Sequence, residues 1–430
     1  MSTTHYSFKP LNLGRILVWG GFALLLLVAP LIFKSGLALT MLSQIGYMII
    51  ILLSYNLLLG NGGMLSFGYA VYTGLGAFCT VHVLNKIGAG TFGLPVSLVP
   101  LVGGLGGMAV AIVLGWVSTK KAQNTFAMIT MGVGELIFAM TLMFPEVFGG
   151  ESGISTNRVV GDAVFGITYG PQIQLYYLIA VYCFICTGLM FMFSATPLGR
   201  MLNAVRDNPE RVQFVGYNTQ VVRYIAFIIA GFFAGIGGGL FALNFELVQG
   251  SAVNGLVSAW YLLFTYIGGA LFFFGPIIGA VLSVLVGILL SEVTKAWALY
   301  LGIVFVLVVM FAPGGVSGIV MLNLRVVAFK KFNRLWKPYL ALLATVPVLV
   351  LGGASLVEML YHKQINAEMN PVFKYLGFQL DVNQPGDWII GAVVTAVGAV
   401  LFEIARRYFK RHWDSAQEEI QAIIRIKEAA

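Results

Sequence analysis

Charge, cysteine and histidine are all scarce in this chain, and each shortage removes a class of protein. Only 10% of the 430 residues are Asp, Glu, Lys or Arg, whereas a soluble globular domain carries roughly 25%. That is too little charge for an ordinary water-facing surface. The three cysteines, Cys79, Cys183 and Cys186, all fall inside apolar runs. Cys183 and Cys186 share a helix face at i, i+3, which suits either a metal or redox pair or two small buried apolar side chains. With no histidine or further cysteine close by, burial is the expectation. His5, His82, His362 and His412 are scattered over termini and span ends. No His/Asp/Cys cluster occurs at catalytic spacing, so neither catalysis nor a metal site is expected. A G-x-x-x-x-G-K-S/T phosphate loop is absent too, so energy for transport must come from a partner or an ion gradient.

What the chain has instead is apolar length. It is 59% hydrophobic, with a mean hydropathy of +0.90 and repeated apolar runs near twenty residues. Such runs specify an all-α, polytopic helical membrane protein; a β-barrel would alternate polar and apolar residues at period two. Twelve spans are expected, at 16–33, 37–59, 64–85, 94–117, 125–144, 173–194, 223–246, 255–273, 276–292, 296–312, 338–357 and 388–405. The first run, Ile16 to Phe33, follows Lys9 and Arg15 as a signal peptide would. It exceeds a usual apolar h-region and no small-x-small cleavage site precedes Lys34, so it reads as a retained span.

With the N-terminus inside, nineteen of the 25 Lys and Arg residues fall on the cytoplasmic side. Only Lys34, Lys86, Arg158, Lys295, Lys363 and Lys374 remain outside. This positive-inside asymmetry accounts for the net charge of +8 without nucleic acid, and it places both termini in the cytoplasm. The outside segment Pro145–Gln172 carries turn signals at Gly149-Gly150 and Ser152-Gly153. Glu358–Asp387, also outside, joins the last two spans. Domain organisation follows: a permease-like core at 1–322, a basic cytoplasmic linker at 323–337, and a two-span extension at 338–430.

One polar insert interrupts the spans, Ser194 to Arg223, reading SATPLGRMLNAVRDNPERVQFVGYNTQVVR. Leu198, Met201, Leu202 and Val205 recur at i, i+3, i+4, i+7 beside Arg200, Asn203 and Arg206, which predicts an amphipathic helix. Asn208 is a good N-cap with Pro209 at N1, and Gly216 is placed to end a second short helix. A rigid double helix on the membrane surface can dock a soluble partner; alternatively it rests on anionic lipid.

Five ordered motifs carry a family resemblance. The run LGRMLNAVRDNPERVQFVGYNTQVVRYIAFIIAGFFAGIGGGLFA is similar to the cytoplasmic coupling region of branched-chain amino-acid and urea type ABC importer permeases. Tyr55–Phe78, Phe126–Ile137, Tyr266–Leu282 and Phe311–Val320 extend the resemblance over about residues 40–325. FAMITMGVGELI and APGG look more like the M-type than the H-type subunit. The resemblance implies a bacterial inner-membrane importer with a second homologous permease subunit. It also implies two ATP-binding subunits carrying ATP and Mg, and an extracytoplasmic solute-binding protein. Gly199 to Tyr217 would then sit in a cleft of an ATP-binding subunit, between Gly199 and Gly216, with Arg200, Arg206, Asp207, Glu210 and Arg211 as rim contacts. The implied cargo is a small polar organic solute: a branched-chain or other amino acid, urea, an amide or a small carboxylate. A stand-alone ion-coupled carrier or channel is the rival reading, with Glu135 its clear intramembrane charge.

Within the spans, Glu135 costs about 2.5–3.5 kcal/mol as an ionised group and is expected to face the bundle interior or a wet cavity. It reads as a substrate-path contact or as a helix–helix tie. Ser66, Tyr69, Tyr72, Thr73 and Asn244 are the other path candidates, with Glu246, Gln249 and Asn254 near them. Gly62-Gly63 and Gly268-Gly269…Gly275-Pro276 fall at cytoplasmic turns and serve packing or gating. The Gly231–Gly239 series is read as close helix packing, with a hinge as the alternative. The tail Trp413–Lys427 places Ala416, Ile420, Ile423 and Ile424 on one side; it is expected to lie on the inner leaflet rather than touch an ATP-binding subunit.

Overall fold

A computed structural model describes residues 13–161, 166, 168–329, 331–365, 372–375 and 378–429. His5, Lys9, Asp162, Lys330 and Pro371 lie outside the described residues. The chain begins with α1 (Leu13–Ile32), α2 (Gly36–Asn56), α3 (Ala70–Gly88), α4 (Val99–Ser118), α5 (Gln123–Met143) and the single turn α6 (Pro145–Phe148). A long α7 (Gln172–Ala195) leads into two short helices, α8 (Pro197–Asp207) and α9 (Pro209–Phe214), and then into α10 (Thr219–Phe245). After these come α11 (Gly255–Gly268), α12 (Gly275–Leu285), α13 (Ser291–Val293), α14 (Trp297–Phe311) and α15 (Gly315–Ala328). The last two helices are α16 (Trp336–Ile365) and α17 (Pro385–Ala429). Strands are minor: β1 (Ile154–Ser155) pairs antiparallel with β2 (Leu247–Val248), and β3 (Val372–Tyr375) forms a hairpin with β4 (Phe378–Asp381).

The all-α membrane class follows from the hydropathy, but the span count does not. Among the described residues eight helices are long and apolar enough to cross a bilayer, or up to nine if the bent pair α14 and α15 is one span. Twelve were expected. Part of the difference is local: the expected span at 64–85 is helical only from Ala70, and α11 has 14 residues. The segment after the expected span 296–312, left outside any span, is the helix α15.

Internal contacts divide the chain into two compact units, Met1–Val286 with Val308–Ser317, and Gly287–Leu307 with Gly318–Ala430. The expected boundary at 322/323 lies within the second of these. At the centre of the first unit, α10 packs on α2, α3 and α4. Lipid supplies no hydrophobic drive between helices, so close approach through small residues does the work. A Cβ on Gly235 would stand 2.3 Å from the Gly103 carbonyl, and one on Gly107 would stand 2.5 Å from the Gly231 carbonyl. The glycine series of α10 is therefore packed face to face with α4, which fits packing better than a hinge.

In the second unit α16 packs along α17. The 45 residues of α17 form one unbroken helix, about 68 Å long at 1.5 Å per residue, well beyond the ~30 Å hydrocarbon core. The tail is thus continuous with the last apolar helix, and its stripe packs within its own unit. Ala416 and Ile420 are buried, Ile420 together with Val326 and Leu335, with Phe329, Tyr339, Trp413 and Ile424 around that cluster. Glu419 accepts from Lys331 Nζ at 2.6 Å and from Arg334. The apolar stripe is spent on the chain's own linker, leaving little to insert into lipid.

Candidate functional site

The polar insert folds as its caps dictate. Thr196 Oγ1 accepts from the Gly199 amide at 3.2 Å and opens α8, with Pro197 at N1. Asn208 Oδ1 accepts from the Arg211 amide at 3.0 Å and opens α9. The left-handed Gly216, at φ +93°, closes it: its amide donates to Gln213 O at 2.9 Å and the Tyr217 amide donates to Val212 O at 3.2 Å. That pair of bonds is a Schellman C-cap, and it needs a residue tolerant of positive φ. Asn218 Oδ1 then accepts from the Gln220 and Val221 amides to start α10. Three successive side-chain caps make the segment a rigid corner.

Its buried side is Leu202, Val205 and Val212. Its outer side carries Arg200, Asp207, Glu210 and Arg211, all exposed. Two expected rim residues behave otherwise. Gly199 is buried at the corner between α7 and α8, where a Cβ would stand 2.4 Å from Phe193 O. Arg206 turns inward: Nη1 donates to the Gly60 carbonyl, and Nε reaches Asp207 Oδ1 at 2.9 Å. What sequence reasoning missed is the tip. Phe214 is 91% exposed and Val215 70%, with Tyr217 beside them. An apolar knob exposed at the end of a capped helix is unusual on a chain's surface and suits a face that something else covers.

The glycine turns meet beneath this segment. α2 ends in a π-helical turn, Leu57–Asn61. A Cβ on Gly60 would stand 2.3 Å from Ala270 O, and one on Gly62 would stand 3.3 Å from Leu202 Cδ1 of α8. Gly63, at φ +62°, lies under the Arg206 side chain. Gly268, Gly269, Gly275 and Pro276 frame the 269–274 turn, where a Cβ on Gly268 would stand 2.3 Å from Gly275 O. The α8–α9 segment, the π turn and the 269–274 turn are therefore one packed cluster at the same end of the first unit.

A cavity of about 580 Å³ opens between α2, α3, α10 and α11. Tyr47, Met48 and Ile51 of α2, Thr73 of α3, Phe241 and Phe245 of α10, and Trp260 and Tyr261 of α11 line it, with Gln249 and Ser251 nearby. No charged side chain lines it. Of the expected path residues Thr73 and the neighbouring candidate Gln249 both line this cavity. Ser66, Tyr69 and Tyr72 are fully buried: Tyr69 OH lies 2.8 Å from Ser54 Oγ and 3.1 Å from Ala230 O, and Tyr55 OH donates to Ser66 O at 3.0 Å. Tyr72 packs edge-on against Phe227. Asn244 Oδ1 accepts from Gln172 Nε2 at 2.9 Å, off the cavity wall. Glu135 is exposed on α5 and does not point into the bundle of this chain; its Oε1 lies 3.0 Å from where a Cβ on Gly255 would stand, at the N-terminus of α11, where the helix dipole favours a carboxylate. Among the described residues no cluster of His, Cys, Asp and Glu could hold a metal. The aromatic wall had no sequence signal, since its residues lie on three separate helices.

Residues 37–313 match the family model described as branched-chain amino acid transport system / permease component. The chain belongs to this family. The permease is 27% identical over 288 residues to the high-affinity branched-chain amino acid transport system permease protein LivM of Escherichia coli, across 62% of this chain and 67% of LivM. It is 23% identical to the probable branched-chain amino acid transport permease protein LivH of Methanocaldococcus jannaschii, across 59% of this chain and 83% of LivH. It is also 28% identical to the galactose/methyl galactoside import permease protein MglC of Salmonella typhimurium, across 68% of this chain and 91% of MglC. No solved structure matches it. The permease is thus a membrane subunit of an ABC importer, a class that works with ATP-binding subunits and a solute-binding protein. α16 and α17 lie beyond the matched residues.

Proposed function

We propose that this permease forms half of a transmembrane pathway for a small polar organic solute without net charge, an amino acid, urea or an amide. A second homologous permease subunit supplies the other half, and two ATP-binding subunits drive it from the cytoplasmic face of the bacterial inner membrane. ATP and Mg belong to those subunits, since the chain has no phosphate loop. The observation that carries the reading is Phe214, 91% exposed at the tip of a triply capped corner. Phe214 and Val215 enter the cleft of an ATP-binding subunit, and Arg200, Asp207, Glu210 and Arg211 ring them. Burying a phenylalanine is worth about 1.5–3 kcal/mol, enough for an anchor, whereas rim charges contribute little. The uncharged, aromatic cavity favours solutes of zero net charge over a free carboxylate, because a desolvated ion there would lack a partner. Glu135 remains a path candidate on the open face of α5, where the second permease subunit would stand. Both termini stay cytoplasmic by the charge asymmetry.

The test is co-expression with the ATP-binding subunits. The wild-type permease is expected to copurify with them in detergent, and Phe214→Asp is expected to release them while leaving the permease folded. Retention of the ATP-binding subunits by Phe214→Asp together with Val215→Asp would sink the docking assignment.

A further inference from the structure

α2 lines the cavity and ends in the π turn that packs under the α8–α9 segment. Tyr47, Met48 and Ile51 form part of the cavity wall. Nine residues past Ile51, about 14 Å along a helix, Gly60 sits in the π turn and accepts from Arg206 Nη1. Arg206 also lies over Gly63, where an added Cβ would stand 2.7 Å from its Cγ. Among the described residues Arg206 supplies the side-chain hydrogen bond from α8 and α9 to α2 and its π turn, and Leu202 adds an apolar contact at Gly62.

The π turn is a place where α2 can change register. It holds one residue more than an α-helical turn, and such bulges gather at functional sites. Resolving it would rotate the adjoining helix by about 100° and shift it by about 1.5 Å per residue. Asn56 Oδ1, at the start of the turn, is buried with no donor among the described residues, and it faces Gly60.

We propose that Arg206 is the positioning residue that carries motion of the docking segment into α2, through the Gly60 carbonyl, and so into the cavity. The inference rests on the docking role given to residues 196–217. A plain C-cap would give the same contact, since arginine often satisfies the last carbonyls of a helix. The two roles differ in what the Arg206 substitution changes.

The experiment uses the intact transporter in lipid nanodiscs: permease, second permease subunit, ATP-binding subunits and binding protein. Met48→Cys, with Cys79, Cys183 and Cys186 replaced by alanine, reports the cavity through its rate of labelling by a maleimide. In the parent the rate is expected to change by ~10-fold between nucleotide-free and ATP-bound states, inside the range of ordinary coupling. In Arg206→Ala the subunits stay together and ATP hydrolysis continues, but the labelling rate no longer follows the nucleotide. Arg206→Lys keeps a donor and recovers part of the response. A C-cap alone would lower thermal stability and leave the nucleotide response intact, which overturns the inference. Release of the ATP-binding subunits by both Arg206→Ala and Arg206→Lys makes Arg206 a docking contact, and also overturns it, while the docking role of the segment stands. A parental permease that never retains ATP-binding subunits would instead remove the proposed function.

Discussion

Two charged, amphipathic stretches on the expected cytoplasmic side, α8–α9 and the end of α17, resolve their apolar residues in opposite ways. Phe214 and Val215, at the end of α9, stay exposed on this chain, while α17 buries Ile420 at 0% exposure against Val326 and Leu335 of its own unit. The stripes at helical spacing are both covered by their own chain, Leu202 and Val205 in α8 and Ile420 in the tail, whereas Phe214 and Val215 lie off the α8 stripe. The difference lies in length and neighbours. α9 is six residues long, too short to lay its tip on its own chain, and is held out by caps at both ends. The tail is the continuation of a 45-residue helix and runs back alongside the linker. One surface keeps large apolar side chains exposed on this chain; the other covers them.

Breaking this contrast gives a ranked set of outcomes. Phe214→Ala is expected to weaken binding of the ATP-binding subunits by about 2 kcal/mol, roughly 30-fold in Kd, with the thermal stability of the isolated permease unchanged; surface-immobilised binding of the purified subunits reads it. Ile420→Ala is expected to show the reverse. It should loosen the tail by about 2 kcal/mol or more through the cavity left behind, seen as faster proteolysis between residues 323 and 337, with subunit binding intact. Gly216→Ala forces a side chain into positive φ at a cost of about 1–2 kcal/mol. Because nothing lies within 4 Å of the added methyl, the loss would come from backbone strain alone, and α9 should fray in amide exchange. Asn208→Ala removes one cap for about 1 kcal/mol and should weaken subunit binding only slightly. The smallest effect belongs to Glu419→Gln. Its ion pairs with Lys331 and Arg334 are partly exposed, so tail proteolysis should rise modestly, and the difference from the parent should vanish in high salt. Equal loss of subunit binding in Ile420→Ala and Phe214→Ala would erase the distinction between the two surfaces.

Much of this was legible in residues. The helical class, the long spans and the double-helix insert follow from apolar run length, spacing and the Asn208-Pro209 cap. Gly216 was readable as a helix end because few other residues accept its backbone. The path residues were less so. Ser66, Tyr69 and Tyr72 looked like cavity groups because they are polar and intramembrane; they instead pair with Ser54, Tyr55, Ala230 and Phe227 inside the core. Tyr47, Trp260 and Phe241 looked like span filler and line the cavity. Polarity alone does not distinguish a satisfied core group from a ligand group, since both must find partners in lipid.

The sequence by itself determined that this chain is a polytopic helical membrane protein with a capped double-helix insert between its spans, because run length, helical spacing and cap residues are local properties. Only the tertiary structure decided that Arg206 points inward to Gly60, that Phe214 points out, and that the tail's apolar stripe is already covered. Those are facts of direction. A helical period fixes which residues share a face, but what that face meets depends on elements far away in the chain, and these are brought together only by packing.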